Sequence, residues 1–262
     1  MKYQFLLVSL FGAQLALLSP VLAQNASVVT KQYDDGGVYE GTFKNGLQHG
    51  TGTYRLPNGY EYTGTWTNGE ILGEGVANFP NGSVYEGSFA KGKPEGQGKI
   101  TFADGGTYSG SWADGKITGS GIATYANGSI YEGAFRNAMH HGRGVMTNPD
   151  GYRYEGDWVD GVKEGTAEIA YPDGAIYKGA IVRGAREGRG VLEMSEGLIF
   201  DGIWKDGEIT GLGKLIQPNG DIYEGMLVAG RRQGPGRVTY ANGDIYDGCL
   251  LYTSDAADET CR

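Results

Sequence analysis

The chain of 262 residues is short of cysteine and of positive charge, and each shortage argues against a class of protein. Lys and Arg number 22 against 31 Asp and Glu, which gives a formal net charge of -9. This argues against nucleic-acid binding, for which a basic stripe is expected. The two cysteines, Cys249 and Cys261, both lie after residue 248, so they indicate neither a disulfide framework nor a metal site in the main part of the chain.

Long apolar runs are also lacking, except at the N-terminus. There, Lys2 precedes an apolar run over residues 5–18, and residues 21–23 (Val-Leu-Ala) end in a small residue, as at a signal-peptide cleavage site. This pattern predicts a cleaved secretory signal over residues 1–23, with Gln24 as the mature N-terminus and a periplasmic, cell-surface or extracellular location. An uncleaved membrane anchor is the alternative. No other stretch is apolar for long enough to cross a bilayer.

Glycine is abundant, with 48 residues, and it recurs in phase. An aromatic-x-Gly triplet returns every 23 residues, which is the signature of a repeat array. Its aromatic residues are Tyr39, Tyr62, Tyr85, Tyr108, Tyr131, Tyr154, Tyr177, Phe200, Tyr223 and Tyr246. The array is therefore predicted over residues 24–248, with residues 28–33 as a terminal strand, nine full repeats from Tyr39 and a tenth that is cut short.

Each repeat alternates with the period of a β-strand. Tyr85, Gly87 and Phe89 share one face, and the second half of the repeat continues the alternation. The corresponding structural positions elsewhere are Tyr39, Gly41, Tyr62, Gly64, Trp66, Tyr108, Gly110, Trp112, Tyr131, Gly133, Phe135, Tyr154, Gly156 and Trp158. One hairpin cannot bury its own face, so neighbouring hairpins must pack together. The prediction is an all-β fold, an elongated single-layer antiparallel sheet of about 20 strands.

Two turn signals set the register of these hairpins. Pro80-Asn81-Gly82 and its equivalents predict a three-residue loop with glycine in the left-handed region. That loop places Ile100 opposite Tyr108 and Gly98 opposite Gly110, all on one face. Asn68-Gly69 and its equivalents give the second turn. A tyrosine or tryptophan ring is expected to lie over the bare glycine backbone of this face.

The last residues, 249–262, do not match the repeat. They resemble a translated sequencing adapter, so we interpret them as a non-native read-through tail and exclude them from fold reasoning. The natural protein is then expected to continue with further repeats.

The repeat resembles the MORN family (membrane occupation and recognition nexus). Tyr131-Glu132-Gly133, an Asn137 turn and Gly142-Arg143-Gly144 carry the resemblance, which covers residues 28–248. Departures that predict slightly looser packing in repeats six to eight are Ala138, Ala167, Ile181, residues 195–197, Phe200 and Leu227. The resemblance implies a non-catalytic module associated with membrane phospholipids, protein partners or self-association.

No residue pattern predicts a catalytic site, a cofactor or a metal centre. The three histidines are His49, His140 and His141, and His49 and His141 occupy equivalent positions that we interpret as solvated and in connecting loops. The glutamates that follow the opening tyrosines predict a solvated acidic face: Glu40, Glu86, Glu132, Glu155 and Glu224.

Three binding functions stay open at this point. The first is an exported scaffold that binds a protein partner or a second copy of itself. The second is an adaptor for anionic phospholipid headgroups through six arginines, if they share a face: Arg183, Arg186, Arg189, Arg231, Arg232 and Arg237. The third is a cell-wall or glycan-binding protein that uses Tyr62, Trp66, Trp112 and Trp158.

Overall fold

The computed structural model describes residues 27–250, and all of its regular elements there are β-strands. The predicted signal over residues 1–23 and most of the predicted tail, residues 251–262, lie outside this range. Strand β1 spans Val29–Gln32, where the sequence predicts a terminal strand. Among residues 27–250, the structure has no helix that could span a membrane.

Each repeat contributes two strands that differ in length. The shorter strands open the repeats: β2 Val38–Lys44, β4 Glu61–Thr67, β6 Val84–Ala90, β8 Thr107–Ala113, β10 Ile130–Arg136, β12 Arg153–Val159, β14 Ile176–Val182, β16 Ile199–Lys205, β18 Ile222–Val228 and β20 Ile245–Leu250. The longer strands follow them: β3 Leu47–Arg55, β5 Glu70–Asn78, β7 Lys93–Thr101, β9 Lys116–Thr124, β11 Met139–Thr147, β13 Val162–Ala170, β15 Ala185–Glu193, β17 Glu208–Ile216 and β19 Arg231–Thr239.

Every strand pairs antiparallel with the strand that follows it along the chain, so 20 strands form one open sheet. The predicted register is confirmed, because Ile100 pairs with Tyr108 and Gly98 with Gly110. The structure thus confirms the all-β fold of tandem hairpins.

The two turns differ in length and geometry. In the three-residue loop, Phe79 N–H donates to the Ser83 carbonyl at 2.8 Å, and Gly82 has a φ of 87°. The other turn has two residues, Asn68 and Gly69, with φ values of 51° and 90°. Positive φ at both central residues defines a type I′ turn, which suits the twist of paired strands. Gly69 N–H also donates to the Gln48 carbonyl of the preceding repeat at 2.9 Å, which ties neighbouring repeats together.

Each long strand also contains a bulge that the sequence analysis does not predict. In β4 and β5, Gly64 pairs with Gly75 but Trp66 pairs with Ile71. Thr65 alone therefore lies opposite residues 72–74. The two extra residues place Ile71, rather than Gly73, opposite Trp66.

The sheet buries one face and exposes the other. On the buried face, which we call the aromatic face, Tyr85 is 0% and Phe89 3% exposed. Val84 and Glu86, which point to the opposite polar face, are exposed. The structure thus shows that the polar face is the one exposed to solvent.

The repeats that depart from the pattern keep the same strands and loops. Ile181 and Leu227, which replace aromatic residues, are almost completely buried. Residues 195–197 form the same loop without proline, since Met194 N–H donates to the Leu198 carbonyl at 2.8 Å. Phe200 does not cover its glycines as the tyrosines do: the side chains nearest to a β-carbon on Gly202 and on Gly213 are those of Ile209 and Leu227, at 3.4 and 2.9 Å.

Candidate functional site: the aromatic face

Tyrosine rings cover bare backbone on the aromatic face. The ring of Tyr62 lies over Gly64 and Gly75, the packing that the sequence analysis predicts. A β-carbon on Gly75 would stand 2.5 Å from the Tyr62 hydroxyl oxygen, closer than atoms pack. That hydroxyl donates to the Thr65 carbonyl at 3.1 Å, which satisfies the polar tip of a buried ring. Burial raises the pKa of Tyr62 to about 12, so the phenol stays neutral.

This bond to the carbonyl three residues later is not predicted from the sequence, although the fixed Tyr-x-Gly spacing is its signal. It recurs for Tyr39, Tyr62, Tyr85, Tyr108, Tyr131, Tyr154, Tyr177 and Tyr223.

The rings also contact one another in a continuous edge-to-face chain. Trp66 meets Tyr39 and Tyr62 with centroids 5.1 and 5.7 Å apart. The chain continues through Phe89, Trp112, Phe135 and Trp158 to Tyr154. Such pairs stabilise by roughly 0.5–1.5 kcal/mol each beyond their buried area. Trp66, Trp112 and Trp158 are only 5–7% exposed, so they offer little surface on which a sugar could stack.

A hollow of about 270 Å³ opens on the aromatic face, lined by residues of repeats three, four and five. Its lining includes Ile117, Phe135 and the loop residues Phe102 and Tyr125, which are 38% and 39% exposed. Gly106 lines the hollow at the position that follows a loop glycine.

In two other repeats a tyrosine occupies the position of Gly106. Tyr60 packs against Phe79 with centroids 5.8 Å apart, and Tyr152 packs against Tyr171 at 6.0 Å. Glycine has no side chain to make such a contact, so the hollow stays open.

The second residue of each long strand lies opposite the aromatic or aliphatic residue that ends the buried row, and we call it the slot residue. The slot residues are Gln48, Ile71, Pro94, Ile117, His140, Lys163, Arg186, Ile209 and Arg232. The slots of repeats two to four are apolar, whereas those of repeats five, six, seven and nine are basic side chains. The two halves of the face therefore differ in chemistry.

Lys163 is held by aromatic rings. Its ammonium nitrogen lies 4.6 and 4.8 Å from the ring centroids of Tyr152 and Tyr154. It donates to the Tyr152 hydroxyl oxygen at 2.8 Å. Burial lowers the pKa of Lys163. Cation–π attraction offsets part of that desolvation, so a charged lysine is accommodated on a face built from rings.

Arginine occupies the slot in repeats seven and nine. The guanidinium carbon of Arg186 lies 4.2 Å from the ring centroid of Trp204, and one Nη2 hydrogen is donated to the Gly207 carbonyl at 2.6 Å. Arg232 lies 5.8 Å from the ring centroid of Tyr223. A guanidinium carries five N–H donors, so Arg186 keeps donors for another partner.

His140 is stacked on Tyr131, with centroids 3.7 Å apart and planes at 18°. Its Nε2 lies 2.5 Å from the Tyr125 hydroxyl oxygen. Burial lowers the pKa of His140 to about 4, so the ring is neutral near pH 7.

The interpretation of the histidines as solvated loop residues is wrong. His49 lies in β3, His140 and His141 lie in β11, and all three are half-buried, because these strands extend further toward the tight turn than the glycine pattern suggests. Within residues 27–250, no group of His, Cys, Asp and Glu is arranged to hold a metal ion.

A sequence signal for the slots lies 15 residues upstream. The Gln48 amide donates to the Tyr33 hydroxyl at 2.6 Å, as His140 pairs with Tyr125. Wherever the slot residue is polar, the residue 15 positions earlier is also polar: Tyr33, Tyr125, Asn148, Tyr171 and Gln217. Apolar slots are preceded instead by Leu56, Phe79, Phe102 and Met194. The repeat phase could therefore have identified Lys163 and His140, which the sequence analysis did not assign to this face.

The polar face carries cross-strand ion pairs. Arg143, Arg189 and Arg237 lie 3.9, 3.7 and 2.8 Å from the carboxylates of Glu155, Asp201 and Asp247. The glutamates that follow the opening tyrosines point to this face, and Glu155 and Glu224 take part in ion pairs.

The six candidate lipid-binding arginines do not share a face. Arg186 and Arg232 lie on the aromatic face, opposite Ile181 and Leu227. Arg189 and Arg237 lie on the polar face with their carboxylate partners. The remaining two are at the tight turns: Arg183 within one, with a φ of 49°, and Arg231 opposite Val228.

The geometry defines a class of protein, a linear array of β-hairpins in which each unit buries its face against its neighbours. A family model for the MORN repeat matches residues 39–59, 62–84, 85–107, 108–130, 131–151, 154–176, 177–198, 200–222 and 223–245. The chain belongs to the MORN-repeat family, whose repeats are of a non-catalytic type.

Similar curated proteins share only a short segment with the chain. Alsin from Rattus norvegicus is 43% identical over 53 residues, which is 18% of this chain and 3% of alsin. Homo sapiens alsin is 40% identical over the same length. The chain thus spans about 3% of the length of these relatives.

Solved structures also resemble the chain. The TCP10 domain of Danio rerio CPAP in complex with a peptide of Danio rerio STIL has a TM-score of 0.42 and 15% identity, covering 86% of this chain and 100% of that one. A second structure of the wild-type TCP10 domain of Danio rerio CPAP has a TM-score of 0.44 and 12% identity, covering 85% of this chain and 100% of that one. Scores this low do not indicate a shared partner.

Proposed function

We propose that the protein is an exported, non-catalytic scaffold that binds a protein partner, or a second copy of itself, through the aromatic face. The observation that carries the proposal is the hollow of about 270 Å³ beside Phe102 and Tyr125. Exposed aromatic side chains next to a concave apolar surface are typical of protein-binding sites. A long repeat surface also suits an extended partner.

A photo-crosslinking amino acid placed in the full chain tests this. We expect a crosslinker at Phe102 to capture one discrete protein species in the native host. A crosslinker at Leu212, which is 70% exposed on the polar face, serves as the matched control. Equal labelling from both positions would count against the aromatic face as the binding surface.

Self-association is distinguished from a separate partner by light scattering on the purified full chain. If the partner is a second copy, the mass should be that of a dimer or larger assembly, and Phe102→Ser should lower it. A monomer that still crosslinks a different protein would identify a heterologous scaffold.

The proposal of export depends on the predicted signal over residues 1–23, and the location we propose is the periplasm, the cell surface or the extracellular space. N-terminal sequencing of the protein from the cell fraction that contains it provides the test. Processing that exposes Gln24 supports cleavage of a signal, whereas an intact Met1 in the cytosolic fraction would contradict export.

The other two binding functions receive less support from the geometry. The arginines proposed for phospholipid headgroups are divided between two faces and the turns. Of the rings proposed for glycans, Tyr62 is 0% exposed and the tryptophans 5–7%. Co-sedimentation with anionic vesicles and sugar-dependent quenching of tryptophan fluorescence would detect these functions directly.

A further inference from the structure

The basic residues of the sheet differ by face in how their charges are neutralised. On the polar face, Arg189 and Arg237 each lie within 4.0 Å of a carboxylate oxygen. On the aromatic face, the neighbours of Lys163, Arg186 and Arg232 are aromatic rings. In the part of the chain that the structure describes, none of these three slot cations forms an ion pair with a carboxylate. Among residues 27–250, three half-buried basic side chains therefore lie on one face without a carboxylate partner.

The spacing of the slots is set by the sheet. Slots of consecutive repeats are two strands apart, which corresponds to roughly 9.6 Å. A polypeptide in the polyproline II conformation rises ~3.1 Å per residue with three residues per turn. Its side chains thus return to the same side every ~9.3 Å, nearly the spacing of the slots. Because Ile209 interrupts the row, the cations occupy its first, second and fourth slots.

We propose that Lys163, Arg186 and Arg232 form a binding row for an extended acidic peptide segment. Its carboxylates would lie at the first, fourth and tenth residues, one for each cation. The inference rests on the proposed function in one respect, since the occupant is taken to be a polypeptide. It adds the chemistry and the periodicity of that partner.

The depth of the cations favours a peptide over a membrane surface. Lys163 lies against the loop residue Tyr152, and Arg186 donates to the backbone of the next tight turn. A flat lipid surface attracts basic side chains that extend into solvent. A single extended chain is narrow enough to reach these half-buried groups, which lie between the three-residue loops on one side and the tight turns on the other. The free guanidinium donors can then bind a carboxylate through charge-assisted hydrogen bonds.

The test measures fluorescence anisotropy of a labelled peptide, Glu-Pro-Pro-Glu-Pro-Pro-Ala-Pro-Pro-Glu, with the full chain. Its control is an isomer of the same composition in which the three glutamates are adjacent. The protein variants are the double substitution Lys163→Met with Arg186→Met, and a matched polar-face double, Arg143→Met with Arg189→Met. Both doubles remove two positive charges, and methionine retains an apolar stem over the rings.

We expect the spaced peptide to bind more tightly than its isomer. The slot double should weaken binding roughly tenfold, and the polar-face double should change it little. Equal losses in the two doubles, or equal binding of the two peptides, would overturn the proposal. So would binding to anionic vesicles with no binding of the spaced peptide.

Circular dichroism of each variant shows whether it is folded. If the slot double unfolds, Lys163→Arg with Arg186→Lys provides a second test, because both charges stay while their geometry changes. Weaker binding of the spaced peptide with an unchanged isomer would support the row, and unchanged binding of both would contradict it. If Phe102 crosslinks a protein but no peptide binds, the proposed scaffold function is still supported and only this inference is rejected.

Discussion

Gly64 and Gly75 face each other across β4 and β5, and a β-carbon on Gly64 would lie 2.6 Å from the Gly75 Cα. The same added carbon would also collide with the Tyr62 hydroxyl and with the Glu74 carbonyl. At the position of Gly64, all ten aromatic-x-Gly triplets have glycine. The strands pair beneath the ring with no side chain at either position, and repeat six accommodates a single methyl group there, since Ala167 pairs with Gly156.

Gly64→Ala should therefore destabilise the protein by roughly 3 kcal/mol or more, since backbone and ring must both move. Urea unfolding followed by circular dichroism measures the effect. Gly92→Ala is the control: its φ is 76° and nothing lies within 4 Å of an added carbon, so it should cost only about 1–2 kcal/mol of backbone strain. A smaller effect at Gly64 than at Gly92 would refute the ring-over-glycine account.

The edge-to-face chain predicts graded effects at Trp112. Trp112→Ala should cost about 3–5 kcal/mol, because it removes contacts with Tyr85 and Tyr108 and leaves a cavity. Trp112→Leu should cost clearly less, since Leu227 fills the same position and is completely buried. Thermal unfolding of both variants provides the comparison, and equal losses would show that ring contacts rather than volume determine stability here.

Acid should weaken the protein through His140. Burial lowers its pKa to about 4 in the folded state, against the ordinary value of 6.5. Above pH 6.5 both states are neutral and His140 has no effect. As the pH falls from 6.5 to 4, only the unfolded state gains the proton, so stability is lost progressively and levels off below pH 4.

The matched variant for this pH effect is His140→Gln, because Gln48 occupies the equivalent slot and bonds to Tyr33. We expect the melting temperature of the wild-type protein to fall more steeply than that of the variant between pH 6.5 and 4. His49 and His141 remain in both proteins and cancel. Parallel curves would mean that His140 titrates normally.

A gain of stability is expected at the turn that lacks its glycine. Ala138 has a φ of 63°, whereas the equivalent residue in the other full repeats is glycine. Ala138→Gly should stabilise by roughly 0.5–1 kcal/mol, as relief of strain exceeds the added chain entropy. Ala134→Gly, in the interior of β10, should do the opposite by a similar amount. Chemical denaturation of the two variants distinguishes them.

The sequence by itself determines the repeat, the strands and much of the register. A 23-residue period without insertions, strand alternation and Pro-Asn-Gly loops suffice, because each is a local constraint repeated nine times. The pairing of Ile100 with Tyr108 could be predicted for this reason. The bulge opposite Thr65 could not, because its two extra residues leave the strand alternation on either side in phase, so the sequence pattern does not show it.

Only the tertiary structure decides which charges lie against rings and which pair with carboxylates. Arg186 and Arg189 are three residues apart in one strand, so strand alternation already places them on opposite faces. The structure adds that Arg186 lies against Trp204 on the aromatic face, whereas Arg189 lies near the carboxylate of Asp201 on the polar face.

Likewise, Lys163 and His140 look like turn residues in the sequence. On the aromatic face, rings of their own repeat (Tyr154 and Tyr131) together with rings of a neighbouring repeat (Tyr152 and Tyr125) hold them. The site is a property of the packed array, since its contacts join residues of different repeats.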